Sequence, residues 1–196
     1  VSLSVSERMG RVMPSATSAV LGLAAELREA GRDVISLGAG EPDFDTPDHI
    51  KEAAIQAIRN GETKYTAIDG TSRLKAAIQR KFERDNQLNY SPDQILVSVG
   101  AKHTLFNACM AILSQGDEAI IPAPYWVSYP DMVRVAEGVP VVINTGIEDG
   151  FKVTPAKLEA AITDKTRLLF LNSPSNPTGS CYTRDELAAL GAVLLK

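Results

Sequence analysis

Three short segments combine residue types that bind anions, flat rings or polar ligands, and each follows an apolar run that predicts a β-strand. The first, Ser98–Lys102, brings small residues and a lysine to a predicted strand-to-helix turn. Backbone N–H groups and the partial positive charge of a helix N-terminus suit a phosphate group there. The spacing is neither GxGxxG nor GxxxxGK, so it favours neither a dinucleotide nor a nucleoside triphosphate. An ordinary tight turn is the alternative.

The second segment, Pro122–Tyr129, contains Trp126, which is the only tryptophan of the chain. A tryptophan directly after a strand can stack on a flat ring. The alternative is that its large apolar surface packs into the core, as most tryptophans do.

The third segment, Asn172–Gly179, contains two prolines, two asparagines and a glycine within eight residues. This composition predicts a rigid polar loop, in which Asn176 lies next to a proline and can aim its carboxamide at a ligand. The alternative is an elaborate turn without a ligand.

Two segments nearer the N-terminus add candidates. Gly40 lies in Leu37–Phe44, where glycines allow a close approach to the backbone. Tyr65 lies in a polar stretch between two predicted helices, and by itself it could equally be a surface or a core tyrosine.

The elements that must position these residues alternate along the second half of the chain. Apolar runs predict strands at Ile95–Val99, Ala119–Ile121, Val139–Ile143 and Leu168–Leu171. Helices are predicted between and after them, at Ala101–Leu113, Val127–Ala136, from Thr154-Pro155 and from Thr183. This α/β alternation predicts a mostly parallel sheet with helices on both faces, and ligands bind beyond the carboxyl ends of such strands.

The first part of the chain is richer in helix. Helices are predicted at Ala19–Ala30, from Thr46-Pro47, and from Gly70-Thr71 to about Arg84, with one short strand at Val34–Leu37. We expect a domain boundary near Asp45, after an N-terminal arm.

Composition excludes several classes of function. The 196 residues carry a net charge of −4 without a Lys/Arg block, which disfavours nucleic acid and anionic membranes as partners. Two cysteines and two histidines without ligand spacing predict no metal site, and unpaired cysteines suit the cytoplasm. Because Val1–Val5 lack a basic start followed by a long apolar stretch, we expect no signal peptide, and no apolar run is long enough to span a membrane.

Taken together, these segments resemble one family. AGEPDFDTP, KYT, VGAK, PAPYWVSYP and NSPSNPTG stand in the order and spacing of class I (fold type I) aminotransferases, which depend on pyridoxal 5'-phosphate (PLP). The chain closely resembles their bacterial aspartate aminotransferase subgroup. The resemblance runs from about Arg11 to the end and covers only the N-terminal half of the family's length. It implies a truncated PLP-dependent transferase fold, with residues 46–196 as the incomplete large domain and residues 1–45 as arm and small-domain segment.

The resemblance also implies roles for matching positions. Cofactor-binding residues would be Gly100, Ala101, Lys102, Trp126, Asn176 and, in the partner subunit of a homodimer, Tyr65. Gly40, Trp126 and Asn176 would bind the substrate. Cis peptide bonds are expected before Pro124 and Pro177. The implied reaction is transamination between an amino acid and a 2-oxo acid, with aspartate and 2-oxoglutarate as the expected pair.

Three departures from the family pattern are visible. Some relatives carry glycine where this chain has Ala101, which is small enough that we expect little effect. Relatives that accept prephenate tend to carry lysine directly before the Pro14–Thr17 stretch, and this chain has Met13, which lowers the expectation of prephenate use. None of the nine lysines lies in the small-residue and serine-rich motif of the Schiff-base lysine. We therefore expect no catalytic residue within this chain and no activity from it alone. The alternatives are a non-catalytic truncated module of the same fold and an aminotransferase with another amino donor.

Overall fold

The computed structural model describes residues 4–196. Its backbone contacts divide the chain into two compact units. We call residues 16–100 the helical unit, and residues 4–15 with 101–196 the sheet unit. The expected boundary near Asp45 concerns the domains of the family and stays a prediction. The expectation about a signal peptide rests in part on residues 1–3, which lie outside the described residues.

The helical unit contains three α-helices: α1 (Ala16–Glu29), α2 (Asp48–Arg59) and α3 (Ser72–Asn86). A 3-10 turn follows at Pro92–Gln94. Helix α3 begins where the Thr71 hydroxyl accepts a hydrogen bond from the Leu74 N–H group, and it ends at Gln87 in the left-handed conformation. All three predicted helices are confirmed within a few residues.

The two strands predicted in this unit do not form. Val34–Leu37 and Ile95–Val99 are assigned to no strand. A strand needs a neighbour for its backbone hydrogen bonds, and an apolar run predicts burial but not the presence of that neighbour. The backbone of Ile95 is extended, but part of Ile95–Val99 is exposed to solvent, since Val99 is 88% exposed.

The sheet unit contains a parallel sheet of three strands, β1 (Glu118–Ala123), β2 (Val139–Asn144) and β3 (Thr166–Leu169), in the order β2-β1-β3. Ile120 of β1 pairs with Val141 of β2 on one side and with Leu169 of β3 on the other. The helices of the unit are α4 (Ala101–Ile112), α5 (Ser128–Val135), α6 (Pro155–Ala161) and α7 (Arg184–Leu194). The prediction of a parallel α/β sheet is confirmed.

Buried side chains cover both faces of this sheet. Because side chains alternate along a strand, Ile121 and Ile120 point to opposite faces, and neither is exposed to solvent. Ile121 lies in one cluster with residues of α4 and α5, such as Cys109 and Val133. Ile120 lies in a second cluster with Leu158 of α6 and Leu190 of α7. Burial on both faces is why β1 is continuously apolar from Ala119 to Ile121 instead of alternating.

Local capping signals fix the starts of the last two helices. Thr154 caps α6, with Pro155 at its first position, and Thr183 and Glu186 form a capping box at α7. Both were predicted from the sequence and are confirmed. Across residues 4–196, every helix is too short or too polar to cross a bilayer.

Candidate functional site

The segment after β1 holds the tryptophan ring. Ala123–Pro124 is a cis peptide bond, as predicted. Trp126 is partly buried and meets Tyr129 edge to face, with ring centres 5.5 Å apart. Tyr129 packs in turn on Phe170, at 4.8 Å between ring centres, and all three rings contact the core cluster around Ile121. Burial raises the pKa of the Tyr129 hydroxyl. Trp126 therefore packs against the ring of Tyr129 and the core, while part of its own ring remains accessible to solvent.

Helix α4 brings a cation to this ring. Lys102 is the second residue of α4, and its Nζ lies 4.9 Å from the centre of the Trp126 ring. The N-terminus of a twelve-residue helix adds a partial positive charge at the same place. The structure thus brings together two of the predicted site residues, at a point where a phosphate and a flat ring can both be bound.

The loop after β3 is closed by its own hydrogen bonds. The Asn172 side-chain oxygen accepts from the Asn176 N–H group at 2.8 Å. The Gly179 N–H group donates to the Ser175 carbonyl at 2.8 Å, and the Ser175 N–H group donates to the Ser180 carbonyl at 2.9 Å. These bonds fix the backbone of Asn176, whose side chain is exposed.

Three X–Pro bonds of the sheet unit are cis. The bond between Asn176 and Pro177 is cis, as predicted. The bond between Ser173 and Pro174 is cis as well and was not predicted.

The loops after β1 and β3 meet at the carboxyl edge of the sheet, because these two strands are parallel neighbours. Tyr125 from the first loop and Asn172 and Ser175 from the second line one small pocket with Phe170. Trp126 and Asn176 each follow directly after one of these lining residues. The structure therefore places the two predicted residues on converging loops.

Tyr182 anchors the Asn176 loop, and sequence reasoning missed it. Its N–H group donates to the Ser173 hydroxyl at 3.0 Å, and its own hydroxyl accepts from the Val153 N–H group at 2.8 Å. Burial raises the pKa of the Tyr182 hydroxyl. The only sequence signal was its place between the proline-rich loop and the capping box of α7.

An ion pair borders this anchor. Lys152 lies over the Tyr182 ring, 6.0 Å from its centre, and pairs with Glu186. The hydrogen bond from Lys152 is the main reason why the pKa of Glu186 is lowered, with the Thr183 N–H group as a second donor.

The other predicted residues lie in the helical unit. Tyr65 is fully exposed, and Gly40 and Gly100 are exposed glycines. Gly100 has φ of +87°, which favours glycine. The hydroxyl of Ser98 is buried, and it has no hydrogen-bond partner among the described residues.

These residues fit the cofactor that the resemblance implies. In the sheet unit, Lys102 and the start of α4 suit a phosphate, and Trp126 suits a pyridine ring. In the helical unit, the unsatisfied Ser98 hydroxyl beside Gly100 suits a missing polar ligand. Between residues 4 and 196, no three His, Cys, Asp or Glu side chains are grouped so that they could hold a metal ion.

Comparison with known proteins identifies the family. The family model for aminotransferase class I and II matches residues 32–196. An aspartate/prephenate aminotransferase of Nitrosomonas europaea is 59% identical over 99% of this chain and 49% of its own length. Its counterpart in Cereibacter sphaeroides is 61% identical over 98% of this chain and 48% of its own length.

Solved structures agree with these relatives. The aspartate aminotransferase of Rhizobium meliloti matches with a TM-score of 0.94 at 52% identity, over 99% of this chain and 48% of that one. The Thermus thermophilus aspartate aminotransferase with maleate matches with a TM-score of 0.95 at 47% identity, over 99% of this chain and 51% of that one. The chain spans about half the length of the relatives it matches. It belongs to the aminotransferase class I and II family.

Proposed function

We propose that the complete protein is a PLP-dependent aminotransferase that transfers the amino group of aspartate to 2-oxoglutarate. The observation that carries this proposal is the contact of Lys102 with Trp126 at the start of α4, in a chain of this family.

Different residues of the chain bind the cofactor phosphate, the cofactor ring and the substrate carboxylate. Gly100, Ala101 and Lys102 hold the cofactor phosphate, with Tyr65 supplied to the same phosphate by the partner subunit. Trp126 fixes the plane of the cofactor ring, and Asn176 donates from its carboxamide to the ring oxygen and the substrate carboxylate. Gly40 offers its backbone to that carboxylate. When bound, PLP would supply an electron sink for removal of the substrate α-proton.

The lysine that anchors the cofactor and carries the proton is proposed to lie outside this chain, as do the arginines that bind substrate carboxylates. We therefore expect residues 1–196 alone to be inactive. The test adds PLP to the purified chain and records its absorbance. A protein-bound cofactor band that disappears on substitution of one of its nine lysines would show that the anchoring lysine is present after all.

We propose a homodimer with shared sites. Tyr65 and Ile68 are both fully exposed within one short segment, which leaves an aromatic and an apolar side chain to be covered by a partner. Sedimentation of the complete protein should give twice the mass of one chain. We also propose a cytoplasmic location, since both cysteines are unpaired.

Aspartate as donor is supported by the relatives' names and by the presence of maleate, a four-carbon dicarboxylate like aspartate, in the Thermus thermophilus structure. The names of the Nitrosomonas europaea and Cereibacter sphaeroides relatives add prephenate as a second candidate substrate. Met13, which is largely exposed, argues for a low rate with prephenate.

The deciding experiment compares kcat/KM for aspartate, other amino donors and prephenate, using the complete gene product. We expect the highest value for aspartate, and a rise in the prephenate value on Met13→Lys. A higher kcat/KM for another donor would overturn the assignment of aspartate. A protein that binds PLP but transfers no amino group would favour the non-catalytic module.

A further inference from the structure

We propose that Lys75 and Asp69 are positioning residues. They fasten residues 62–70, which include Tyr65, to residues 92–100, which end at Gly100, and thereby set the affinity for the cofactor phosphate. The ligand part of this proposal rests on the proposed function. The fastening itself is a property of the helical unit alone.

Lys75 is a buried charge. It lies in helix α3 and is only 7% exposed. Its Nζ donates to the Asp69 carboxylate and, at 3.0 Å, to the Pro92 carbonyl. A buried ammonium group is costly unless it is paired and hydrogen-bonded, so these contacts must persist in the folded protein. The hydrogen bond from Lys75 is also the main reason why the pKa of Asp69 is lowered, which favours the ionised carboxylate that Lys75 contacts.

Asp69 connects this charge to the neighbouring segment. Its carbonyl accepts a hydrogen bond from the Val97 N–H group at 3.0 Å. The next residue, Gly70, has φ of +110°, and a Cβ added there would lie 2.5 Å from Val97 Cγ2. The turn at Asp69-Gly70 is therefore pressed directly against Val97, and only glycine fits the space.

The same segment is held at its other end. Glu62 pairs with Arg73 of α3 at 3.5 Å, so α3 contacts the chain both before and after Tyr65. Between these two points Tyr65 and Ile68 are fully exposed. Val97 is followed by Ser98, whose hydroxyl is buried, and the segment ends at Gly100. Lys75 thus links two segments that carry predicted phosphate-binding residues, although it is not itself one of those residues.

The test uses the complete gene product and the variants Lys75→Met, Lys75→Arg and Asp69→Asn. Lys81→Met, on the same helix but exposed, is the matched control. Three quantities are measured: the dissociation constant of PLP, kcat and KM for aspartate at saturating PLP, and hydrogen exchange of residues 65–70 and 97–100 without cofactor. The last measurement does not depend on activity.

We expect Lys75→Met to weaken PLP binding about tenfold and to speed amide exchange in both segments together, with kcat at saturation changed less than about twofold. Lys75→Arg should restore the affinity to within about threefold, because a guanidinium group can reach the same carboxylate and carbonyl. Lys81→Met should match the unsubstituted protein. If Lys75→Met does not fold, Asp69→Asn takes its place, since Lys75 keeps its bond to Pro92 in that variant.

Unchanged exchange in both segments of a folded Lys75→Met protein would overturn the fastening. Faster exchange with an unchanged PLP dissociation constant would overturn the positioning role. If the unsubstituted protein binds no PLP, the proposed function fails and the ligand part of this inference fails with it, while the exchange data still decide the fastening.

Discussion

The ammonium group of Lys102 lies 4.9 Å from the centre of the Trp126 ring. Lys102 is the second residue of helix α4 and Trp126 follows strand β1, so their contact depends on how α4 packs on the sheet. Cys109 of α4 and Ile121 of β1 belong to the same buried cluster, and this packing fixes the helix start beside the ring. The buried core of the sheet unit therefore positions the cation next to the aromatic face.

Replacing Lys102 should weaken cofactor binding. Lys102→Met keeps most of the side-chain length but removes the charge, and loss of one charged hydrogen bond to a phosphate should cost about 1.5–3 kcal/mol, or roughly tenfold or more in the PLP dissociation constant. Lys165→Met removes an exposed lysine of the same unit and should leave this constant unchanged. Equal constants for the two variants in an absorbance titration would contradict a role of Lys102 at the phosphate.

Removing the Tyr182 hydroxyl should loosen the Asn176 loop. In Tyr182→Phe the N–H group of Val153, a residue only 3% exposed, loses its acceptor, and an unsatisfied buried donor costs about 1–3 kcal/mol of unfolding free energy. Denaturant unfolding checks this value. Tyr90→Phe, at a 39% exposed tyrosine, is the control and should cost less. Equal losses would mean that the bond to Val153 contributes nothing.

Gly70→Ala should destabilise the helical unit more than Gly61→Ala. Both glycines have positive φ, so each substitution carries a conformational cost of about 1–2 kcal/mol. Only at Gly70 would the new Cβ overlap Val97, which should add about 1–3 kcal/mol. Unfolding free energies of the two variants measure the difference. A Gly70→Ala protein as stable as Gly61→Ala would show that Val97 moves aside freely.

The stability of the sheet unit should fall in acid through Asp149. The hydrogen bond from Lys157 and, secondly, the Gly146 N–H group lower the pKa of Asp149 below its usual value near 3.8. A lowered pKa means that the ionised carboxylate stabilises the folded state above that usual value. The contribution is lost as the pH falls through the lowered pKa.

Asp149→Asn should therefore flatten the decline of unfolding free energy below about pH 5, since the group that loses its charge there is gone. Asp164→Asn removes an exposed carboxylate of the same unit and serves as the control. Denaturant unfolding between pH 7 and pH 3 gives both slopes. An unaltered slope in Asp149→Asn would contradict the assignment.

The two cysteines should differ in reactivity. Cys109 is fully buried, and burial raises the pKa of its thiol, whereas Cys181 is exposed. Because the thiolate is the reactive form, a thiol reagent should modify the peptide containing Cys181 first in the native protein. Peptide-resolved mass spectrometry, with Cys181→Ser and a denatured sample as controls, measures both rates. Native-state labelling of Cys109 at the denatured rate would refute its burial.

Local patterns in the chain were enough to predict the features that depend on near neighbours. The caps at Thr71, Thr154 and Thr183 act over three residues, so the helix starts could be read directly. The apolar run of β1 predicted a buried parallel strand, because both faces of such a strand are covered. The motifs also named Lys102 and Trp126 before any contact between them was known.

Which of these patterns find a hydrogen-bonding or packing partner depends on the folded chain. Ile95–Val99 is as apolar as a strand but is not paired as one, since a ladder requires a distant segment that no local pattern reveals. Lys75 looks like any lysine on a charged helix, yet Asp69 and Pro92 surround its ammonium group. Burial and hydrogen bonding join residues far apart in sequence, and their free energy depends on the packed fold as a whole. The sequence therefore identified candidate residues by type, whereas their contacts with one another depend on the fold.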